Sequence, residues 1–161
     1  MKFLTDDIFK SQNHFLLQVI DVHTVETTGF EHKISRKYPD TSPTVFREED
    51  VNNNNLCTKE SESIPGTLFI METMNNDKAI INIFRPKQTT DSDFNNEENE
   101  FYFQEALSSL KDYFFGCTDE IRIDVSLRSF KENWHMYGSN LKYFEEDMRN
   151  DGYNIEIIVY N

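Results

Sequence analysis

The chain has 161 residues, 16 of them basic and 29 acidic, for a net charge of −13. That length fits one domain with a sizeable core, and the acidic balance argues against nucleic acid or an anionic membrane as a partner held by bulk electrostatics. Two cysteines, Cys57 and Cys117, stand far apart without CxxC spacing, so neither a disulfide framework nor a structural zinc site is expected and a reducing compartment is the simplest reading.

The opening Met1-Lys2-Phe3-Leu4 reads as a short strand and runs at once into Thr5-Asp6-Asp7, which is not a signal-peptide pattern. Thr5 or Asp6 is expected to cap a brief helical turn with Asp7 in its first positions, where a carboxylate suits the helix dipole. Residues 15–20, FLLQVI, read as a buried strand. After a polar turn, residues 29–37 read as a helix whose apolar face is Phe30, Ile34 and Tyr38, ended by Pro39 and Pro43.

Residues 40–66 hold an asparagine run and a Ser/Glu/Lys mixture, and read as a surface loop inside the domain. Residues 67–71 and 79–84 are apolar runs joined by an Asn/Asp turn, the pattern of an antiparallel hairpin. A second polar loop is expected over 85–100, with Glu97-Glu98-Asn99-Glu100 beginning a helix. Its stripe is Phe103, Ala106, Leu107, Leu110 and Phe114, and Gly116 closes it. Residues 121–128 alternate, with Ile121, Ile123, Val125 and Leu127 against Arg122, Asp124, Ser126 and Arg128. The period of two predicts one buried and one polar face. A last helix carries Trp134, Tyr137, Leu141, Phe144 and Met148, and the chain finishes on a strand over 154–160. The sum is one domain over 1–161, an α/β chain forming a three-layer α/β/α sandwich with a mixed central sheet. No stretch approaches a membrane span, and the expectation is a soluble protein of the cytoplasm or nucleus.

Strand, loop and helix over 15–39 form the usual cradle for a ligand in open α/β proteins, since backbone amides at the helix start can face an anion beyond the strand's carboxyl end. Asp21 closes the strand there, and Gly29 opens the helix. Asp7 is either a helix cap or a ligand contact, and Trp134 with its aromatic stripe is more simply core than a stacking platform. His14, His23, His32 and His135 do not share metal-ligand spacing, so no metal and no cofactor is assigned. An acidic decoy for basic or DNA-binding proteins is compatible with the charge, with solubility its commoner explanation.

Several segments taken together resemble the macro domains, which are ADP-ribose-binding modules. They are Asp6-Asp7-Ile8-Phe9, Gln18-Val19-Ile20-Asp21, Thr24-Val25 followed by Gly29, Lys37-Tyr38-Pro39, Ile64-Pro65-Gly66-Thr67, and Trp134 with Tyr137. The resemblance implies that Asp7 hydrogen-bonds the adenine amino group beside Ile8. It puts Asp21 where the family has an asparagine that meets the distal ribose, and turns Thr24, Gly29 and Phe30 toward the ribose and diphosphate. The family's second, glycine-rich loop corresponds to SLRSFKENW, residues 126–134, which has no glycine. There Arg128 or Lys131 would supply a point contact to phosphate in place of a cradle of amides. The implied function is binding of ADP-ribose or a related nucleotide metabolite, with weak ADP-ribosyl hydrolysis as an extension and no catalytic residue assigned. The alternative is a degenerate macro domain kept as a structural or protein-interaction module, its cleft closed by the side chains of residues 126–132.

Overall fold

The computed structural model describes residues 1–21, 29–41, 64–75, 77–86, 96–130 and 133–161. Its strands are β1 (Lys2–Leu4), β2 (Phe15–Asp21), β3 (Leu68–Glu72), β4 (Ala79–Arg85), β5 (Ile121–Ser126) and β6 (Ile155–Tyr160), and its helices α1 (Gly29–Lys37), α2 (Asn96–Tyr113), α3 (Leu127–Phe130) and α4 (Trp134–Asn150). The strands form one sheet in the order β1-β6-β5-β2-β4-β3. β3 and β4 are the antiparallel hairpin, and the other neighbouring pairs are parallel.

The sheet is mixed and covered on both faces, so its central strands carry near-continuous apolar runs. Odd-numbered residues (Leu17, Val19, Ile81, Ile83, Ile123, Val125, Ile157, Val159) pack with Phe103, Leu110, Tyr137, Leu141 and Met148 of α2 and α4 in the larger core. Even-numbered Leu16, Ile80, Ile158 and Tyr160 pack instead with Ile8 and with Ile34 of α1. Phe30 and Tyr38 lie against that second core, as their spacing predicts. Within the same face, register partners Gln18 and Asn82 are buried. The Gln18 amide donates to Asn82 Oδ1 at 2.7 Å, and Asn82 Nδ2 donates to the Phe69 carbonyl at 3.2 Å.

Four expectations need correction. The first turn, a 3₁₀ turn at Ile8–Lys10, is capped by Asp7 itself and not by Thr5 or Asp6. Asp7 is extended (φ −77°, ψ 114°), and its carboxylate accepts from Phe9 N at 3.0 Å. The second polar loop is shorter at both ends than 85–100: Arg85 completes β4, and α2 opens at Asn96 with Glu97 and Glu98 in its first turn. The alternation expected to run to Arg128 stops at Ser126, and α3 begins at Leu127. Ser126 Oγ accepts from Arg128 N at 3.2 Å, and the turn carries Phe130 into the core, 4.8 Å centroid to centroid from Tyr137 and 5.6 Å from Trp134. Finally, the polar face of β5 is not turned to water, since Asp124 and Ser126 are both buried.

Trp134 belongs to the packing of α4. It is half-buried against the larger core, meets Phe3 edge-on at 6.3 Å, and lies over Gly138. A Cβ at Gly138 would sit 2.8 Å from Trp134 Cε2 and 2.9 Å from Cζ2, closer than a carbon contact allows. Gly138→Ala should therefore cost about 1–3 kcal/mol, read by denaturant unfolding. An unchanged midpoint would mean that the indole moves aside without loss.

Candidate ligand-binding site

The parallel strands present their carboxyl ends on one edge of the sheet, where ligands bind in open α/β folds. A cavity of about 460 Å³ lies there. It is lined by Thr5 to Phe9 beyond β1, by Phe30 and Lys33 of α1, by Ser126 and Arg128 at the β5–α3 turn, and by Tyr160 and Asn161 at the end of β6. The size falls within the usual range for small-molecule sites, about 300–1,000 Å³.

Four residues named from the sequence, Asp7, Ile8, Phe30 and Arg128, meet in this cavity. Asp21 closes β2 beside Arg85 of β4, and Gly29 starts α1 with φ +58°; neither lines the cavity. Thr24 lies outside the described residues, as do His23 and Lys131. Asp7 also serves as the cap described above, so the structural role stands whether or not a ligand binds. The Phe9 and Phe30 rings stack at 5.6 Å and 29°, forming an aromatic wall beside Asp7 and Ile8.

Lys33 was not singled out in the sequence, although it lies three residues after Phe30 and so shares its side of the helix. Tyr160 was missed as well. The parity it shares with Asn154, Glu156 and Ile158 put it on one face of β6 but gave no sign that the strand ends at a cavity. The turn into α3 does not close the cleft through residues 126–130, because Ser126 and Arg128 are walls of an open space.

Joined to the cavity through Tyr160 is a buried polar cluster. Asp124 of β5 is 0% exposed and Lys78, just before β4, is 4% exposed. Lys78 Nζ stands 3.8 Å from Asp124 Oδ2 and donates to the carbonyls of Asn13 at 2.5 Å and Ser11 at 3.4 Å. Asn13 Nδ2 donates to Asp124 Oδ1 at 2.8 Å. Burial pushes the Asp124 carboxyl above the ordinary carboxylate range, against the hydrogen bonds and the Lys78 charge that lower it. Burial likewise pushes Lys78 below the ordinary ammonium range, despite Asp124 and Asp77 nearby. Tyr160 is raised, first by burial, with Ser11 and Asp124 as hydrogen-bonding neighbours of its hydroxyl. The cluster thus ties the connector between the 3₁₀ turn and β2 to three strands, and holds the segment bearing Asp7 and Ile8 over the sheet edge.

Among the described residues no group of three or more His, Cys, Asp or Glu side chains converges as a metal site would require, and no helix is long and apolar enough to cross a membrane. The arrangement defines an open three-layer α/β/α protein with a cavity across the carboxyl ends of its parallel strands. No protein-family model matches the sequence, and no curated protein matches it. Solved structures do. The macrodomain of DarG from Mycobacterium tuberculosis superposes with TM-score 0.68 at 14% identity, over 99% of this chain and 95% of that one. The macrodomain of DarG from Thermus aquaticus gives 0.68 and 14%, over 99% and 97%. A macrodomain of Oceanobacillus iheyensis gives 0.59 and 12%, over 99% and 82%. The chain has the macrodomain fold, in a sequence that has diverged far from these structures.

Proposed function

We propose that this chain binds ADP-ribose or a related nucleotide metabolite in the cavity beside Asp7, as a single domain over 1–161 acting in the cytoplasm or nucleus. The observation that carries the reading is the meeting of Asp7, Ile8, Phe30 and Arg128 in one cavity at the carboxyl ends of the strands. Asp7 and Ile8 would take the adenine edge. Phe30 and Arg128, which line the same cavity, would face the ribose and diphosphate. Hydrolysis of an ADP-ribosyl linkage is the further half of this reading, and no residue is assigned to it.

Thermal unfolding tests the reading directly. A ligand at about a hundred times its Kd adds about 2.7 kcal/mol to the folded state, which raises the melting temperature of a chain this size by about 5–10 °C. Millimolar ADP-ribose should produce such a rise, and Asp7→Ala should remove most of it. Because Asp7 is also a cap, the variant should melt lower without ligand as well, by about 0.5–2 kcal/mol of stability. The readout is therefore the ligand-induced difference. No shift at millimolar ligand would sink the binding reading.

A second reading draws on a different feature. The β5–α3 turn contains no glycine, and Ser126 and Arg128 line the cavity there. This suits a module kept for structure or for contact with a protein partner, and it predicts no shift with any adenine nucleotide.

A further inference from the structure

Residues 5–13 run from β1 to β2 across the face of the sheet that carries α1. At either end the backbone is tied down, the Leu4 carbonyl accepting from Asn161 N and the His14 carbonyl from Ala79 N. Between these points no backbone hydrogen bond joins the segment to another part of the chain among the described residues. Its own bonds, from Lys10 N to the Asp7 carbonyl and from Ser11 N to the Ile8 carbonyl, close a single 3₁₀ turn, too short to hold its shape alone. Ile8 is its one buried residue, and Phe9 stacks on Phe30 of α1. The rest of the fastening is polar. Asn13 Nδ2 donates to Asp124, Lys78 Nζ donates to the Asn13 and Ser11 carbonyls, and Ser11 hydrogen-bonds Asp124 as well. Lifting the segment would return water to Lys78 and Asp124, so the desolvation that penalises this buried pair opposes closure.

We propose that residues 5–13 form a strap that opens as a unit while β2, β4, β5 and β6 stay paired, with Lys78 and Asp124 as its latch. The first half of the strap, Thr5 to Phe9, is one wall of the cavity, whereas Phe30, Lys33, Ser126 and Arg128 belong to α1, β5 and α3. Opening therefore moves one wall and leaves the other in place, which gives a ligand a way in from that side. Only this link to a ligand rests on the nucleotide reading above. The opening itself is a local equilibrium of the unliganded chain.

The test is native-state hydrogen exchange of the full chain, followed by NMR in increasing urea below the unfolding transition. The Lys10 and Ser11 amides report the strap, and the slowest amides of β2, β5 and β6 report the sheet. Relative to their rates in an unfolded chain, the strap amides are expected to exchange at least about tenfold faster than the sheet amides. Their urea dependence should be nearly flat, because little surface is exposed on opening. Asn13→Ala, which removes a latch bond to a charged group, should speed strap exchange about tenfold and keep that flat dependence. One urea slope shared by strap and sheet amides would overturn the proposal, since the segment would then leave only with the sheet. Unchanged strap exchange in Asn13→Ala would overturn the latch. ADP-ribose supplies a second arm. A ligand seated against the strap binds only the closed state, and so slows strap and sheet amides by the same factor. Slowing of the sheet amides alone would overturn the strap as a wall of the site and leave the nucleotide reading standing. Slowing of neither set at millimolar ligand would sink the nucleotide reading, while the urea dependence still decides whether the strap opens.

Discussion

Replacing Asp124 by alanine should lower the unfolding free energy by about 3–5 kcal/mol, the cost of leaving a buried charge without its partner. Asp124 is inaccessible to water and faces Lys78, itself nearly so. Without the carboxylate, the ammonium keeps the Asn13 and Ser11 carbonyls and the charge of Asp77, and Asn13 Nδ2 loses its acceptor. Replacing both ends of the pair, Lys78→Met with Asp124→Leu, should recover most of the loss, because burial penalises each charge on its own. The same burial predicts a pH signature. Asp124 has a raised pKa in the folded state, so between about pH 4, where an unfolded aspartate titrates, and its raised value the folded chain holds a proton that the unfolded chain has released. Stability from this group is thus full below that window and is lost as pH rises through it. Urea titrations across pH should show the unaltered protein losing ground to Asp124→Asn over that window. A cost below about 1 kcal/mol for Asp124→Ala would refute the buried-pair account.

The second large effect is expected at Glu145, a buried carboxylate on α4. Its Oε2 accepts from Ile157 N at 2.5 Å, and its Oε1 lies 3.2 Å from Arg149 Nη1. β6 is flanked on one side by β1, whose pairing begins only at Lys2 opposite Ile158. The carboxylate satisfies that amide, and its Oε1 also accepts from the Met1 ammonium at 2.6 Å. Glu145→Ala leaves that amide buried without an acceptor and should cost about 2–4 kcal/mol. Glu145→Gln keeps an acceptor oxygen and should cost less than half as much. Equal losses for the two variants, measured by denaturant unfolding, would show that the carboxylate's charge and its ion pairs with the Met1 ammonium and Arg149, and not the hydrogen bond to Ile157, are responsible.

Most of the scaffold could be read from residue order because its signals are local. α1 begins at Gly29 and ends at Lys37 as anticipated, since Phe30, Ile34 and Tyr38 set its face and Pro39 stops it. The hairpin and α4 follow from similar punctuation and spacing. What stayed hidden depends on distant parts of the chain. Alternation in β5 identified Asp124 and Ser126 as sharing a face, but burial of that face comes from residues 11–13, more than a hundred positions away. α3 escaped notice because Leu127 and Arg128 continue the alternation, and only the packing of Phe130 against Tyr137 and Trp134 pulls the chain into a turn. For the cavity, the resemblance led to Asp7, Ile8, Phe30 and Arg128. Lys33 was legible only as an ordinary polar residue of an amphipathic helix, because nothing in its spacing says that α3 will stand opposite.

The buried amide pair of Gln18 and Asn82 gives the sheet a means of rejecting misalignment. Above and below it, β2 and β4 present Leu16 opposite Ile80 and Ile20 opposite Phe84, apolar rungs that would tolerate exchange. A slip of two residues would keep every apolar side chain on its proper face, so hydrophobic burial alone would barely object. It would, however, set Gln18 against Ile80 or Phe84 and Asn82 against Leu16 or Ile20. Each stranded amide would then cost about 1–3 kcal/mol. One polar rung thus works as a lock-and-notch for the central strands, and the carboxyl ends that frame the cavity inherit their alignment from it.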